Sequence, residues 1–148
     1  MDLLPDFRDL LSALADSSAE YLVVGGWAVG FHTEPRFTKD LDLLIGTDAG
    51  NLARVVDAVR KFGAPPAIAD QLAGMGPDEF LFLGAPPARV DFLRAIPGVD
   101  FRGAMARALR VDWNGVPASI LAREDLIASK RAAGRERDLR DLKMLLKE

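Results

Sequence analysis

The chain has 148 residues, 49% of them hydrophobic and 28% charged, with no cysteine and a formal net charge of −3. That is the balance of one globular domain; it excludes disulfides, thiolate catalysis and cysteine-ligated zinc, and it supplies no general basic field for nucleic acid, though a local basic patch stays open. Residues 1–20 hold five acids (Asp2, Asp6, Asp9, Asp16, Glu20) against the single base Arg8, and no apolar run nears the roughly 20 residues that span a bilayer, so a cytoplasmic protein with no secretory signal and no membrane partner is expected.

Leu3, Leu4, Phe7, Leu10, Leu11 and Leu14 repeat at helical spacing and predict a first amphipathic helix. Residues 20–24, Glu-Tyr-Leu-Val-Val, read as a buried strand ended by a tight turn at Gly25-Gly26, and Trp27 to Phe31 as a short helix. Residues 40–45 open with strict alternation, a strand with Asp40 and Asp42 on one face and Leu41 and Leu43 on the other. Residues 49–62 are helical, with Leu52, Val55, Val56 and Val59 on one side. Residues 63–77, with three Gly and three Pro, read as a loop with some internal order.

Two strands are expected at Phe80–Leu83 and Arg89–Leu93, then a helix from Phe101 to Leu109. Asn114-Gly115 between Arg110–Trp113 and Val116–Ile120 signals a hairpin, because both central turn residues need positive φ. Glu124–Ala133 and Arg135–Lys147 read as helices broken near Gly134. Leu126, Leu139, Leu142 and Leu146 are the expected anchors of these last helices. Strands separated by helices, plus a hairpin, give an α/β or α+β sandwich with a short mixed sheet. A single domain, residues 1–148, is expected, with a core at about 20–122 and a helical part at about 123–148.

The chemistry concentrates in three places. Asp40 and Asp42 repel one another if they lie close on one strand face, and burial raises the cost. A divalent cation cancels that repulsion, and Mg²⁺ takes hard oxygen ligands from one or two carboxylates plus substrate phosphates; an exposed polar edge explains the pair equally simply. Asp91 is an acid inside an apolar strand, either solvated or a third ligand. Gly25-Gly26 between strand and helix lets backbone approach a phosphate at a helix N-terminus, or is merely a turn. Arg36 and Lys39 could contact phosphate or face solvent. The lone His32 is read as structural. Ser119 and Ser129 lack a nucleophile-elbow setting, so serine hydrolysis has no support. In the tail, Lys130 is balanced between a site-facing and a solvated role, and the remaining charges, including an Arg137–Asp141 pair, read as a solvated face.

The ordered set Val24-Gly25-Gly26-Trp27-Ala28, Arg36-Phe37-Thr38-Lys39-Asp40-Leu41-Asp42-Leu43 and Arg89-Val90-Asp91-Phe92-Leu93 resembles the nucleotidyltransferase superfamily that contains DNA polymerase beta. It is most similar to the small bacterial group around AbiEii-type toxins, which shares an Arg-x-Thr-x-Asp-x-Asp stretch and a later Lys before an Arg/Asp-rich helix, here Lys130 and then residues 135–142. The resemblance covers about residues 20–142. It implies a metal-dependent transfer of NMP from an NTP such as ATP to an acceptor hydroxyl on RNA (tRNA included), a protein or a small molecule. Mg²⁺ or Mn²⁺ is the implied cofactor, with Asp40, Asp42 and Asp91 as its ligands and the catalytic acids. Gly25, Gly26, Arg36, Lys39 and Lys130 are the implied nucleotide-binding residues. A toxin–antitoxin or defence role, with a cognate antitoxin or partner protein, follows from the same resemblance. Many members place Ser where this chain has Trp27, although the AbiEii-like group often lacks it. The rival reading is a nucleotide-binding or interaction module of the same fold without turnover, and a third is one half of a two-protein system.

Overall fold

A computed structural model describes residues 3–36, 38, 40–76, 79–85 and 87–147. In chain order these form α1 (Pro5–Asp16), β1 (Tyr21–Val24), α2 (Gly25–His32), β2 (Asp40–Ile45), α3 (Ala49–Phe62), α4 (Pro66–Ala73) and β3 (Phe80–Leu83). They continue with β4 (Arg89–Leu93), α5 (Phe101–Arg107), β5 (Leu109–Trp113), β6 (Val116–Ile120), α6 (Arg123–Ala133) and α7 (Glu136–Leu146).

The strands make one mixed sheet in the order β3-β4-β2-β1-β6-β5. β2 runs parallel to β4 and antiparallel to β1, and β1 runs parallel to β6. Two hairpin-like pairs, β3–β4 and β5–β6, close the edges. The sheet's middle is apolar on both sides: all four residues of β1 are buried, as are Leu41, Leu43, Leu44 and Ile45 of β2. α1 and α3 pack against each other and against β6 and β2, while α2 meets α6 and α7. Phe7, Leu10, Leu11 and Leu14 of α1 are fully buried, as their spacing predicts.

Buried Asn51 fastens the start of α3 to the sheet. Its side chain accepts from the Glu20 N–H and donates to the Glu20 and Gly46 carbonyls, while its own N–H is held by the Asp48 N-cap. The β5–β6 turn has Asn114 at φ 52° and Gly115 at φ 89°, the conformation its dipeptide requires.

Four sequence expectations are corrected. Residues 66–73 form α4 rather than loop; Pro66 sits in the first turn, where its missing N–H costs nothing, and Ala69 and Leu72 are buried. The fifth helix stops at Arg107, and Leu109 already belongs to β5. α2 begins at Gly25 rather than Trp27, so the expected tight turn, with Gly25 at φ +65°, lies within the helix's first residues. In α7 the buried anchor is Leu145, whereas Leu139 and Leu146 are exposed.

Candidate functional site

The site grows from strand register. β2 and β4 run parallel with Asp42 directly beside Asp91, and Val24, the last residue of β1, pairs with Asp42 on the other side. Two carboxylates and the start of α2 therefore meet on one sheet face. Asp40 lies two residues back on the same face, beside Arg89. Gly25 has φ +65°, and a Cβ there would stand 2.1 Å from Asp42 Oδ2, so only glycine lets the chain pass this close to the carboxylate. Gly26 is closed in by Thr38, whose Cγ2 would lie 2.8 Å from an added Cβ.

These groups line a cleft of about 660 Å³. One wall holds Gly25, Gly26, Arg36 and the acids Asp40, Asp42 and Asp91; α6 and α7 supply Lys130, Asp138 and Asp141 opposite; and Phe80, Leu93, Ile96 and Pro97 give an apolar end. Lys39 lies outside the described residues, so its placement is not part of this picture.

Electrostatics mark Asp42 as the strained member. Burial, then the charges of Asp91 and Asp40, push its carboxyl up to about 7, and a hydrogen bond shared with Asp91 acts the same way; Lys130 opposes them. Asp91 is tied down by Arg89, whose Nε donates to Oδ1 at 2.8 Å. Arg89 also lies over the Phe82 ring at 4.3 Å from its centroid.

The C-terminal helices are built into the site, which corrects the expectation of a solvated tail. Lys130 Nζ reaches Asp138 Oδ1 at 3.3 Å and Asp141 Oδ2 at 3.0 Å, and its side chain is only 14% exposed. Arg36 Nη1 donates to Asp141 Oδ1 at 2.7 Å, so Asp141 is shared by Arg36 and Lys130 rather than paired with Arg137. Asp138, 1% exposed, also accepts from Arg135 Nε and the Arg135 backbone N–H, capping α7. Its carboxyl is held down at about 2, by Arg135 first and Lys130 next. Apart from their place in the Arg/Asp-rich helix of the sequence resemblance, Asp138 and Asp141 carry little signal: acids in a charge-rich helix are usually solvated, and the Arg36 partner is 105 residues away. Their spacing, three apart on one helix face, is consistent with a shared role.

Trp27 points into the core, not the cleft. It is 5% exposed and meets Phe7 and Trp113 edge-on at 5.8 and 5.4 Å. The Trp27 side chain therefore does not fill the site. His32 is structural, with Nε2 2.7 Å from the Leu121 carbonyl oxygen.

The donor set suits a hard divalent cation: all-oxygen carboxylates, two of them adjacent, with Asp42 shifted toward its neutral form first by burial and then by repulsion from Asp91 and Asp40, the part a cation would relieve. Among the described residues no group of three His, Cys, Asp or Glu stands ready to cage a metal. A carboxylate pair completed by substrate phosphates is the arrangement Mg²⁺ ordinarily takes.

No protein-family model matches the chain, and no curated protein matches it in sequence. Among solved structures it is similar to an antigenic nucleotidyltransferase-like protein from Paracoccidioides brasiliensis, with TM-score 0.50 and 17% identity, covering 98% of this chain and 78% of that one. At that identity the likeness establishes fold alone: this is a nucleotidyltransferase-like fold, a six-stranded mixed sheet with seven helices among the described residues. No described helix is long and apolar enough to cross a membrane.

Proposed function

We propose that the protein is a nucleotidyltransferase that moves a nucleoside monophosphate from a nucleoside triphosphate to an acceptor hydroxyl. The observation that carries this reading is the in-register Asp42–Asp91 pair under the Gly25 approach, facing Lys130 across a cleft that Arg36 also lines. The N-terminus of α2 presents backbone N–H groups and a positive dipole end to the triphosphate. Gly25 and Gly26 keep that approach open. Arg36 and Lys130, already held in place by Asp141, neutralise the phosphates and then the departing pyrophosphate.

Asp40, Asp42 and Asp91 are the residues that would hold Mg²⁺ or Mn²⁺, which when bound supplies charge neutralisation at the reacting phosphate and a more acidic acceptor hydroxyl. The acceptor oxygen forms a bond to the α-phosphorus as the bond to the β-phosphate oxygen breaks. The hydroxyl proton passes to the Asp91 carboxylate, which Arg89 keeps oriented.

A second reading, a nucleotide-binding module without turnover, is favoured by the absence of a ready three-acid group among the described residues and by Arg89 on Asp91. The acceptor, a toxin–antitoxin or defence role and a partner protein are part of the proposal through the sequence resemblance alone. The direct test is thermal melting with each nucleoside triphosphate, with and without Mg²⁺. A stabilisation that requires metal and is lost in Asp42→Ala supports a metal–nucleotide site. An equal shift without metal reduces the site to simple anion binding.

A further inference from the structure

The edge strand β3 breaks the usual economy of exposed edges. Solvent-facing positions there are normally polar or charged, which blocks unwanted pairing. Here Leu81 and Leu83 turn toward the core, while Phe80 and Phe82 remain 59% and 51% exposed on the opposite face. That face is the acid-bearing one, because Phe82 is directly opposite Asp91 in the β3–β4 ladder. Reading across the sheet, the row is Val24, Asp42, Asp91, Phe82. At about 5 Å per strand, the rings begin one strand beyond Asp91 and three beyond the end of β1, on the side of the acids away from α2's N-terminus. Phe80 itself lines the cleft. The Arg89 guanidinium lies on Phe82, and the exposed side chains of Arg135 and Arg137 line the same cleft.

We infer that Phe80 and Phe82 form a ledge on which the terminal nucleobases of a single-stranded nucleic-acid acceptor stack, with Arg89, Arg135 and Arg137 beside its phosphates. Base-stacking aromatics interleaved with arginines make a strand-binding surface that tolerates any sequence, since every base has a π face. The ledge's position gives the acceptor, not the donor nucleotide, as its occupant: the donor's phosphates lie at α2, and Asp91, the acid that meets the acceptor hydroxyl, separates them from the rings. Naming the ring's owner as the acceptor rests on the transfer reading above; the stacking itself does not.

The test uses the full chain and a fluorescein-labelled single-stranded RNA of about six uridines, read by anisotropy. It is run on wild type, Phe80→Ala, Phe82→Ala, the double variant and Phe82→Trp. Thermal melts check folding, and the triphosphate-induced melting shift is recorded for each. The expected result is wild-type binding weakened about tenfold by each alanine change, kept by Phe82→Trp, with the triphosphate shift intact throughout. RNA binding that depends on both rings in a protein that shows no triphosphate shift upholds the ledge and sinks the transfer reading. Absence of wild-type RNA binding, or equal binding by the folded double variant, overturns the inference, including when that variant instead alters self-association or loses a protein acceptor. Loss of the triphosphate shift in the phenylalanine variants overturns it too, assigning the ledge to the donor's base.

Discussion

Gly25→Ala probes the site through backbone geometry, and Gly63→Ala is its internal control. Both glycines have positive φ, +65° and +96°. Placing a side chain in that region costs about 1–2 kcal/mol, which lowers Tm by about 2–8 °C in a domain of this size. At Gly63, the C-cap of α3, nothing lies within 4 Å of the added carbon, so strain is the whole effect. At Gly25 the new carbon would sit 2.1 Å from Asp42 Oδ2 and 3.0 Å from its Cγ, well inside contact distance. Either Asp42 swings away from Asp91 or the start of α2 lifts off the sheet. Both outcomes dismantle the carboxylate pair and the phosphate approach. Differential scanning fluorimetry of the two variants, with and without triphosphate and Mg²⁺, separates the effects. Gly63→Ala should melt lower yet keep the full ligand-induced shift, whereas Gly25→Ala should melt at least as low and lose most of it. A Gly25→Ala protein with a wild-type ligand shift would refute the reasoning, because it would mean that the contact between Gly25 and Asp42 does not define the site.

Other expectations follow from the same geometry. Asp42 titrates near 7 in the folded protein and near 3.8 in the unfolded chain, so the folded state holds the extra proton between those values. Stability of the metal-free protein should therefore fall as pH rises from about 4 to about 7, and Tm measured against pH should flatten in Asp42→Asn. Asp138→Ala removes the shared partner of Lys130 and Arg135 and the cap of α7; chemical denaturation should show a loss of about 2 kcal/mol, and an unchanged midpoint would mean that the network is ornamental. Trp27→Ser, which restores the residue many nucleotidyltransferases carry, should cost about 3–5 kcal/mol by emptying the space against Phe7 and Trp113 and should not improve triphosphate binding; a stable variant would contradict the core placement of Trp27.

The elements that sequence resolves are those whose pattern is local. Alternation along residues 40–45 puts Asp40 and Asp42 opposite Leu41 and Leu43, and burial follows that alternation. Asn114-Gly115 specifies its turn through its own backbone preferences. α4 was hidden because its flanking Gly and Pro read as loop, yet Pro65 and Pro66 mark a start that proline favours. The phase of α7 is ambiguous in sequence because Leu139, Leu142, Leu145 and Leu146 cover more than one face, and only the packing partner selects Leu145. The cleft's second wall was least legible. Nothing near Asp138 or Asp141 in sequence indicates that Lys130 and Arg36 will meet them, since those pairings depend on α6 and α7 folding back beside α2.

The central claim, transfer rather than mere binding, is tested most directly by incubating the protein with triphosphates labelled at the α-phosphate, Mg²⁺ or Mn²⁺, and RNA, protein or small-molecule acceptors. Wild type should move label covalently to one acceptor class. Asp91→Asn should cut that transfer by about 10²–10³-fold while keeping much of the triphosphate-induced melting shift, since Asp40 and Asp42 remain. Wild-type protein that binds triphosphate yet labels nothing, or Asp91→Asn protein that transfers at a near-normal rate, would contradict it.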